Sequence, residues 1–338
     1  YYILDLREKN SFIKWATGQG HTEFIVSWVN PDAKLASKTF DNYMLEGPIA
    51  ALDAIEKATG EKKTNLIGYC IGGTLVASVL SYLTSKKQDK RVNSVTFFAT
   101  MVDFTEAGEL GVFIDNSQLT SLEKKMEERG YLEGREMATT FNMLRANDLI
   151  WSFVINNYLL GKEPFPFDLL FWNSDSTRMP AAMHSFYLRK MYLENKLIEP
   201  GGIELASTPI DLTKIKVPTY IVATREDHIA PWKSAYSATQ IYSGPVKFVL
   251  AGSGHIAGIV NPPANPKYGY WTNDGLPADP EEWFAGASKH EGSWWPEWDA
   301  WAKKSADNAM VPARKPGDGK LNTICDAPGT YVMVKAED

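Results

Sequence analysis

Residues 67–80 read IGYCIGGTLVASVL, and the reading of this stretch decides the fold. An apolar run, TNLIGY (64–69), ends just before Cys70, and GGTLVASVLSYLTS (72–85) follows it. The first predicts a strand and the second a helix, which puts Cys70 on the turn between them. Gly68 and Gly72 flank the cysteine at two-residue spacing, with Gly73 behind. A nucleophile on such a turn holds a sparsely allowed backbone conformation, and strand and helix approach closely there. A Cβ at Gly68 or Gly72 is therefore expected to clash. G-x-C-x-G alone is a weak signal; the strand–turn–helix setting gives it weight.

The same rhythm runs outward on both sides. YYILDL (1–6) and TEFIVSWV (22–29) predict strands, with a helix near NSFIKWATGQG (10–20) between them. FDNYMLEGPIAALDAIEKATG (40–60) predicts a helix with Gly60 at its C-cap. VNSVTFFATMVDF (92–104) is the next strand. Alternating units of this kind imply an α/β fold, a mostly parallel sheet with helices on both faces. After Asp103 the rhythm breaks for about a hundred residues, long enough for a mainly helical subdomain or lid inserted between sheet strands. Helical patterns there include NDLIWSFVINNYLL (147–160) and MPAAMHSFYLRKMYLENKL (179–197), around the aromatic stretch EPFPFDLLFWNSDST (163–177). VPTYIVATREDH (217–228) resumes the sheet. SAYSATQIYSG (234–244) is helical, and PVKFVLAGSGH (245–255) is expected as the last strand. The final thirty residues read as a loop and a short edge strand. The expected division is a core over 1–104, a cap over 105–216 and the rest of the core with the tail over 217–338.

A chain of 338 residues can bury a large core. A net charge of −6 leaves no basic footprint for nucleic acid. The longest apolar runs, about ten residues, are too short to span a bilayer. Two cysteines in such a length fit a reducing cytosol. The chain opens in mid-strand without Met and without a signal-peptide pattern, so an N-terminal portion is expected to be missing, and any targeting segment with it. Of eleven tryptophans, Trp294, Trp298 and Trp301 fall at helical spacing and predict a C-terminal helix docked on the core.

A cysteine nucleophile needs a base. Of five histidines, His255 follows the last expected strand in GSGH, where the chain can turn the imidazole over the sheet's C-terminal edge. His21, His184 and His290 are expected in surface or packing roles. His228 adjoins the acid and is kept as an auxiliary. For the acid, TREDH offers Glu226 and Asp227; position and side-chain length favour Asp227, with Glu226 a solvated turn residue. The order Cys70, Asp227, His255 is the nucleophile–acid–base order of α/β-hydrolases. The N–H of Ile71, opening a helix, is the expected oxyanion donor, and a second donor is expected near Leu6 or Arg7. Cys325 is a bystander thiol.

GYCIGGT, VPTYIVATREDHIAPW, SGHIAGIVNPPANPKYGYWTND and GSWWPEWDAW together resemble the catalytic region of polyhydroxyalkanoate synthases, along nearly the whole chain. Ile after the cysteine and Thr after the glycines resemble the class I form. The resemblance implies an α/β-hydrolase core with a cap, a Cys–His–Asp triad and a homodimer. It also implies a missing N-terminal domain and a place in the cytoplasm at the surface of polyester granules, with granule-associated proteins as partners. The implied substrates are a short-chain (R)-3-hydroxyacyl-CoA, such as 3-hydroxybutyryl-CoA, and the growing polyester chain. No cofactor or metal is implied, because CoA enters as part of the substrate and leaves as product. The residues around Arg7 depart from the family's usual oxyanion His-Gly. Ala257, two residues past His255, is a candidate for the acyl pocket. A cysteine thioesterase on the same fold, or a non-catalytic granule protein, are the alternatives.

Overall fold

The computed structural model describes residues 2–144, 150–163, 172, 175–306 and 309–335. Its elements begin with α1 (Phe12–Gly18), α2 (Phe40–Met44) and α3 (Ala50–Thr59), and the expected alternation appears from β1 (Thr64–Tyr69) through α4 (Ile71–Ser85) to β2 (Val92–Phe98). The Ser11 hydroxyl caps α1 by accepting from the Lys14 N–H at 2.8 Å. Gly60, in the left-handed region at φ 78°, ends α3 as expected. The described residues of 105–216 add no strand to the main sheet. They hold α5 (Asn116–Arg129), β3 (Tyr131–Leu132), α6 (Gly134–Leu144), β4 (Met179–Pro180), α7 (Ala181–Phe186), β5 (Glu204–Leu205) and β6 (Thr208–Pro209). A π-helical turn, Tyr187–Leu193, continues α7. The sheet resumes with β7 (Thr219–Thr224), α8 (Trp232–Tyr236), α9 (Ala238–Ile241) and β8 (Val246–Ala251). β9 (Tyr270–Thr272), α10 (Pro280–Ala285), β10 (Ser288–His290) and α11 (Trp295–Ser305) complete the described elements.

The main sheet runs β1-β2-β7-β8-β9-β10. β1, β2, β7 and β8 are parallel neighbours, whereas β9 and β10 add antiparallel. β7 is buried along its whole length, as a parallel strand covered on both faces must be. One core lies between the sheet, α4 and the 105–216 region; the other packs α1 and α11 on the opposite face. In the second, Phe12 is fully buried and meets Trp295 edge-on at 5.1 Å. Trp294 and Trp298 are buried as the helical spacing predicts.

Several expectations fail for identifiable reasons. YYILDL is not a strand: Tyr2–Leu4 makes a 3-10 turn, closed by the Asp5 N–H on the Tyr2 carbonyl. TEFIVSWV has strand propensity but no paired neighbour, and Phe24, Ile25 and Val29 are exposed. Trp28 instead stacks on Tyr43 at 4.9 Å and lies over Gly47. β8 is not the last strand, because β9 and β10 follow, three residues each and too short to show a period. The described residues of the tail form no edge strand; Tyr331–Met333 is a 3-10 turn. Most of EPFPFDLLFWNSDST, and residues 147–149 that open NDLIWSFVINNYLL, lie outside the described residues. Among the described residues no helix is long and apolar enough to cross a membrane.

His184, on α7, is buried, and its Nδ1 has no hydrogen-bond partner among the described residues. Burial holds its pKa down to about 4. The unfolded chain protonates near the usual 6.5, so this group favours the folded state fully above that pH. The contribution, on the order of 3 kcal/mol, is lost as pH falls from 6.5 to about 4. Denaturant titrations across that range should therefore show a flatter decline for His184→Met than for the parent chain. Equal slopes would remove His184 from the acid response.

Candidate active site

Cys70 sits between β1 and α4 at φ 53°, ψ −126°, a conformation that side-chain-bearing residues rarely adopt. The surroundings hold it there. Its N–H donates to the Phe98 carbonyl at 2.9 Å, and its carbonyl accepts from the Gly73 N–H at 2.9 Å. A Cβ on Gly68 would stand 2.5 Å from Gly73 Cα, so Gly68 is glycine because strand and helix touch there. Gly72 has nothing within 4 Å, contrary to the expected clash; the second tight position is Gly73, whose Cβ would meet Thr100 Oγ1 at 1.9 Å. The helix turns Gly72 outward and Gly73 onto the end of β2. Gly73→Ala should cost about 2 kcal/mol or more through overpacking and lower turnover. Gly72→Ala should keep the parental melting temperature or raise it. Thermal unfolding of the two variants side by side checks the assignment.

Asp227 follows β7 and its side chain is fully buried. Its Oδ1 accepts from the N–H groups of Ile229 (2.9 Å) and Ala230 (2.8 Å). Its Oδ2 accepts from Thr224 Oγ1 (3.0 Å) and meets His255 Nδ1 at 2.7 Å. Four partners fix the carboxylate and, through it, the imidazole ring. Glu226 is exposed, as expected of a turn residue. Its N–H donates to Ser253 O at 2.9 Å, tying the acid's turn to the base's loop.

His255 lies beyond β8 with its side chain largely buried. Burial, the largest effect, disfavours its charge. The Cys70 thiolate, with hydrogen bonds to Asp227 and Cys70, outweighs burial and raises the pKa to about 10. Near neutral pH His255 therefore keeps its proton beside the Cys70 sulfur.

Residues unremarked in the sequence complete the site. Tyr69 donates its hydroxyl to the His255 carbonyl at 2.6 Å, so the residue before the nucleophile holds the loop of the base. Trp294 and Trp295 donate their indole N–H groups to the carbonyls of Gly258 and Ile259, both at 2.9 Å, and pin the same loop from behind. Tyr187 and Tyr192 of the inserted region pack on each other, 5.4 Å apart, within electrostatic reach of Cys70. Burial foremost, with the Cys70 charge adding to it, raises both phenols and keeps them protonated. Phe104 packs against both rings, at 6.0 and 4.8 Å. Tyr187 stands four residues from both Met183 and Met191, a helical period that does not say what the helix covers.

Ile71 is the first residue of α4, whose leading N–H groups have no carbonyl a turn behind them. Leu6 and Arg7 lie in the bend at 5–7. His228 is half-buried beside Asp227, and its carbonyl accepts from the Glu109 N–H. Ala257 is half-buried in the turn after His255. His21 meets Asp299 at 2.8 Å, and His290 stacks on Tyr270, so both play the packing roles expected.

A cysteine on a strained strand–helix elbow, faced by a histidine and an aspartate from later strand ends, defines the class. Residues 18–262 match the family profile for the alpha/beta hydrolase fold, and the chain belongs to that family. More particularly, it is 55% identical over 336 residues to the poly(3-hydroxyalkanoate) polymerase subunit PhaC of Rhizobium meliloti, covering 99% of this chain and 54% of that protein. It is 44% identical over 341 residues to the polymerase subunit of the same name from Cupriavidus necator, covering 99% and 58%. The chain therefore spans about half the length of the curated relatives it matches. Among solved structures, a Paleococcus ferrophilus monoacylglycerol lipase aligns at 14% identity and TM-score 0.44, covering 88% of each chain.

Proposed function

We propose that this chain is the catalytic part of a polyester synthase, polymerising short-chain (R)-3-hydroxyacyl-CoA with release of CoA. The observation that carries the reading is the sulfur at the elbow, faced by a histidine that Asp227 orients. The names of its relatives support the reaction class.

The chemistry follows from the charges. The Cys70 thiolate attacks the thioester carbonyl, and the Ile71 N–H receives the oxyanion. The carbon–sulfur bond to CoA breaks, and the leaving thiolate takes the His255 proton. Thioester exchange is nearly isoenergetic, so the acyl group stays activated on Cys70. Having given up that proton, and with no thiolate left beside it, His255 is neutral, and burial opposes its recharging. The neutral imidazole then takes the proton of a 3-hydroxyl, whose oxygen attacks the acyl–enzyme. A carbon–oxygen ester bond forms, the Cys70 sulfur leaves as thiolate, and the ion pair is restored.

Water must be kept from the acyl–enzyme. Tyr187, Tyr192 and Phe104 near Cys70 fit the role of a lid. His228 as auxiliary to the hydroxyl step, Ala257 in the acyl pocket and a second oxyanion donor near Leu6 or Arg7 belong to the same proposal. So do the homodimer and the granule surface. Incubation with 3-hydroxybutyryl-CoA, following CoA release and product size together, tests it. Polymer is expected; free 3-hydroxy acid makes the protein a thioesterase, and absence of CoA release overturns catalysis.

A further inference from the structure

Arg225 has no part in the chemistry above, yet its setting is a built one. It directly follows the last residue of β7, and its N–H donates to Ala251 O at 2.9 Å. Its guanidinium carbon lies 5.3 Å from the centre of the Trp271 ring and 5.0 Å from that of Phe284. Those two rings are 5.8 Å apart and tilted by 58°, forming a notch around the planar cation. The residue is nonetheless exposed, and among the described residues no carboxylate pairs with it. A nearby cation, Lys233, is already bound to Glu281 at 2.6 Å. An arginine held by two aromatic faces has lost its rotamer freedom in advance, while its N–H edge is left for an anion.

The position suits one anion in particular. Register places Tyr69 level with Phe98, and Phe98 level with Val222. Cys70 and Arg225 thus stand at the same end of the sheet, two strand spacings apart and offset by two residues, a backbone separation of roughly 12 Å. Ile221, Ala223 and Leu250 share a core cluster with Trp271 and Phe284, so Arg225 emerges on the face that also carries α4 and the inserted region. In a CoA thioester about a dozen bonds separate the sulfur from the nearest phosphate, roughly 15 Å when extended. An acyl carbon at Cys70 would put that phosphate within reach of the clamped guanidinium.

We propose that Arg225, in its Trp271–Phe284 notch, binds a phosphate of the CoA moiety and makes the site selective for CoA-borne over unphosphorylated thioesters. This rests on the acyl-CoA reading above. Guanidinium–phosphate pairing is bidentate and charge-assisted, so the residue acts on binding of the carrier and not on the acyl transfer.

The test compares 3-hydroxybutyryl-CoA with 3-hydroxybutyryl-pantetheine, which has the same thioester and arm without phosphates. Arg225→Gln should raise KM for the CoA thioester ~10-fold or more, with far less change in kcat, and leave the pantetheine thioester at parental values. Arg225→Lys should fall between, keeping the charge and losing the fork. Unfolding midpoints near the parent's confirm that both variants fold. Equal effects on the two thioesters, or no effect on the CoA thioester, overturn the proposal. Equilibrium binding of CoA to the Cys70→Ala chain provides a catalysis-free readout. Arg225→Gln in that background should weaken it ~10-fold, and unchanged binding, or no binding in either chain, overturns the assignment. Should the parent chain turn over neither thioester, the synthase reading falls by itself, and the CoA-binding measurement still decides on Arg225.

Discussion

Serine at position 70 should lower CoA release from 3-hydroxybutyryl-CoA by about a thousand-fold or more, while the protein still folds. The substitution keeps the side chain's size nearly constant, and the elbow is held by Gly68, Gly73 and the Phe98 carbonyl, none of which sense sulfur. What changes is the charge. A hydroxyl is far less acidic than a thiol, so beside the same His255 it yields much less of the anion that attacks. Attack then begins from a poor nucleophile, and the product would be an oxyester, from which onward transfer has lost the thioester's driving force. The measurement is CoA release under saturating substrate, with intact-mass detection of any acyl adduct at position 70. Turnover near the parental rate would dismiss Cys70 as nucleophile.

Asp227→Asn should be nearly as severe, with kcat falling between about a hundred- and ten-thousand-fold. The asparagine carbonyl can still accept from Ile229 and Ala230, which is why folding should survive. Its amide nitrogen, however, donates toward His255 Nδ1 where the carboxylate accepts, forcing the wrong tautomer and removing a charge that favours the imidazolium. The loss should therefore come with a downward displacement of the His255 titration from about 10, measurable by NMR of the ring. A large loss of rate with an unmoved titration would assign Asp227 to folding and not to orientation.

What could be read from the sequence was what local chemistry controls. Cys70 was legible because an apolar run, glycines and a small-residue run make a turn wherever they occur. Asp227 and His255 were legible because strand ends carry a change from apolar to polar residues. The strand predictions at 1–6 and 22–29 failed because propensity measures fitness for a pleated surface, not whether a neighbour is there to pair. Gly72 and Gly73 exchanged roles because a one-residue step on a helix rotates the contact by about 100°, which spacing alone does not resolve. Tyr69 and the two indoles were invisible for another reason. Their hydrogen bonds end on backbone carbonyls, and a carbonyl carries no side-chain signature.

The indole bonds from Trp294 and Trp295 bear on the order of events during synthesis. Cys70, Asp227 and His255 have all been translated before either tryptophan is added. A nascent chain therefore holds the complete set of reacting groups while the loop of its base is still unpinned. Reactivity should switch on late, once α11 has docked, so that a half-made protein on the ribosome does not begin consuming thioester.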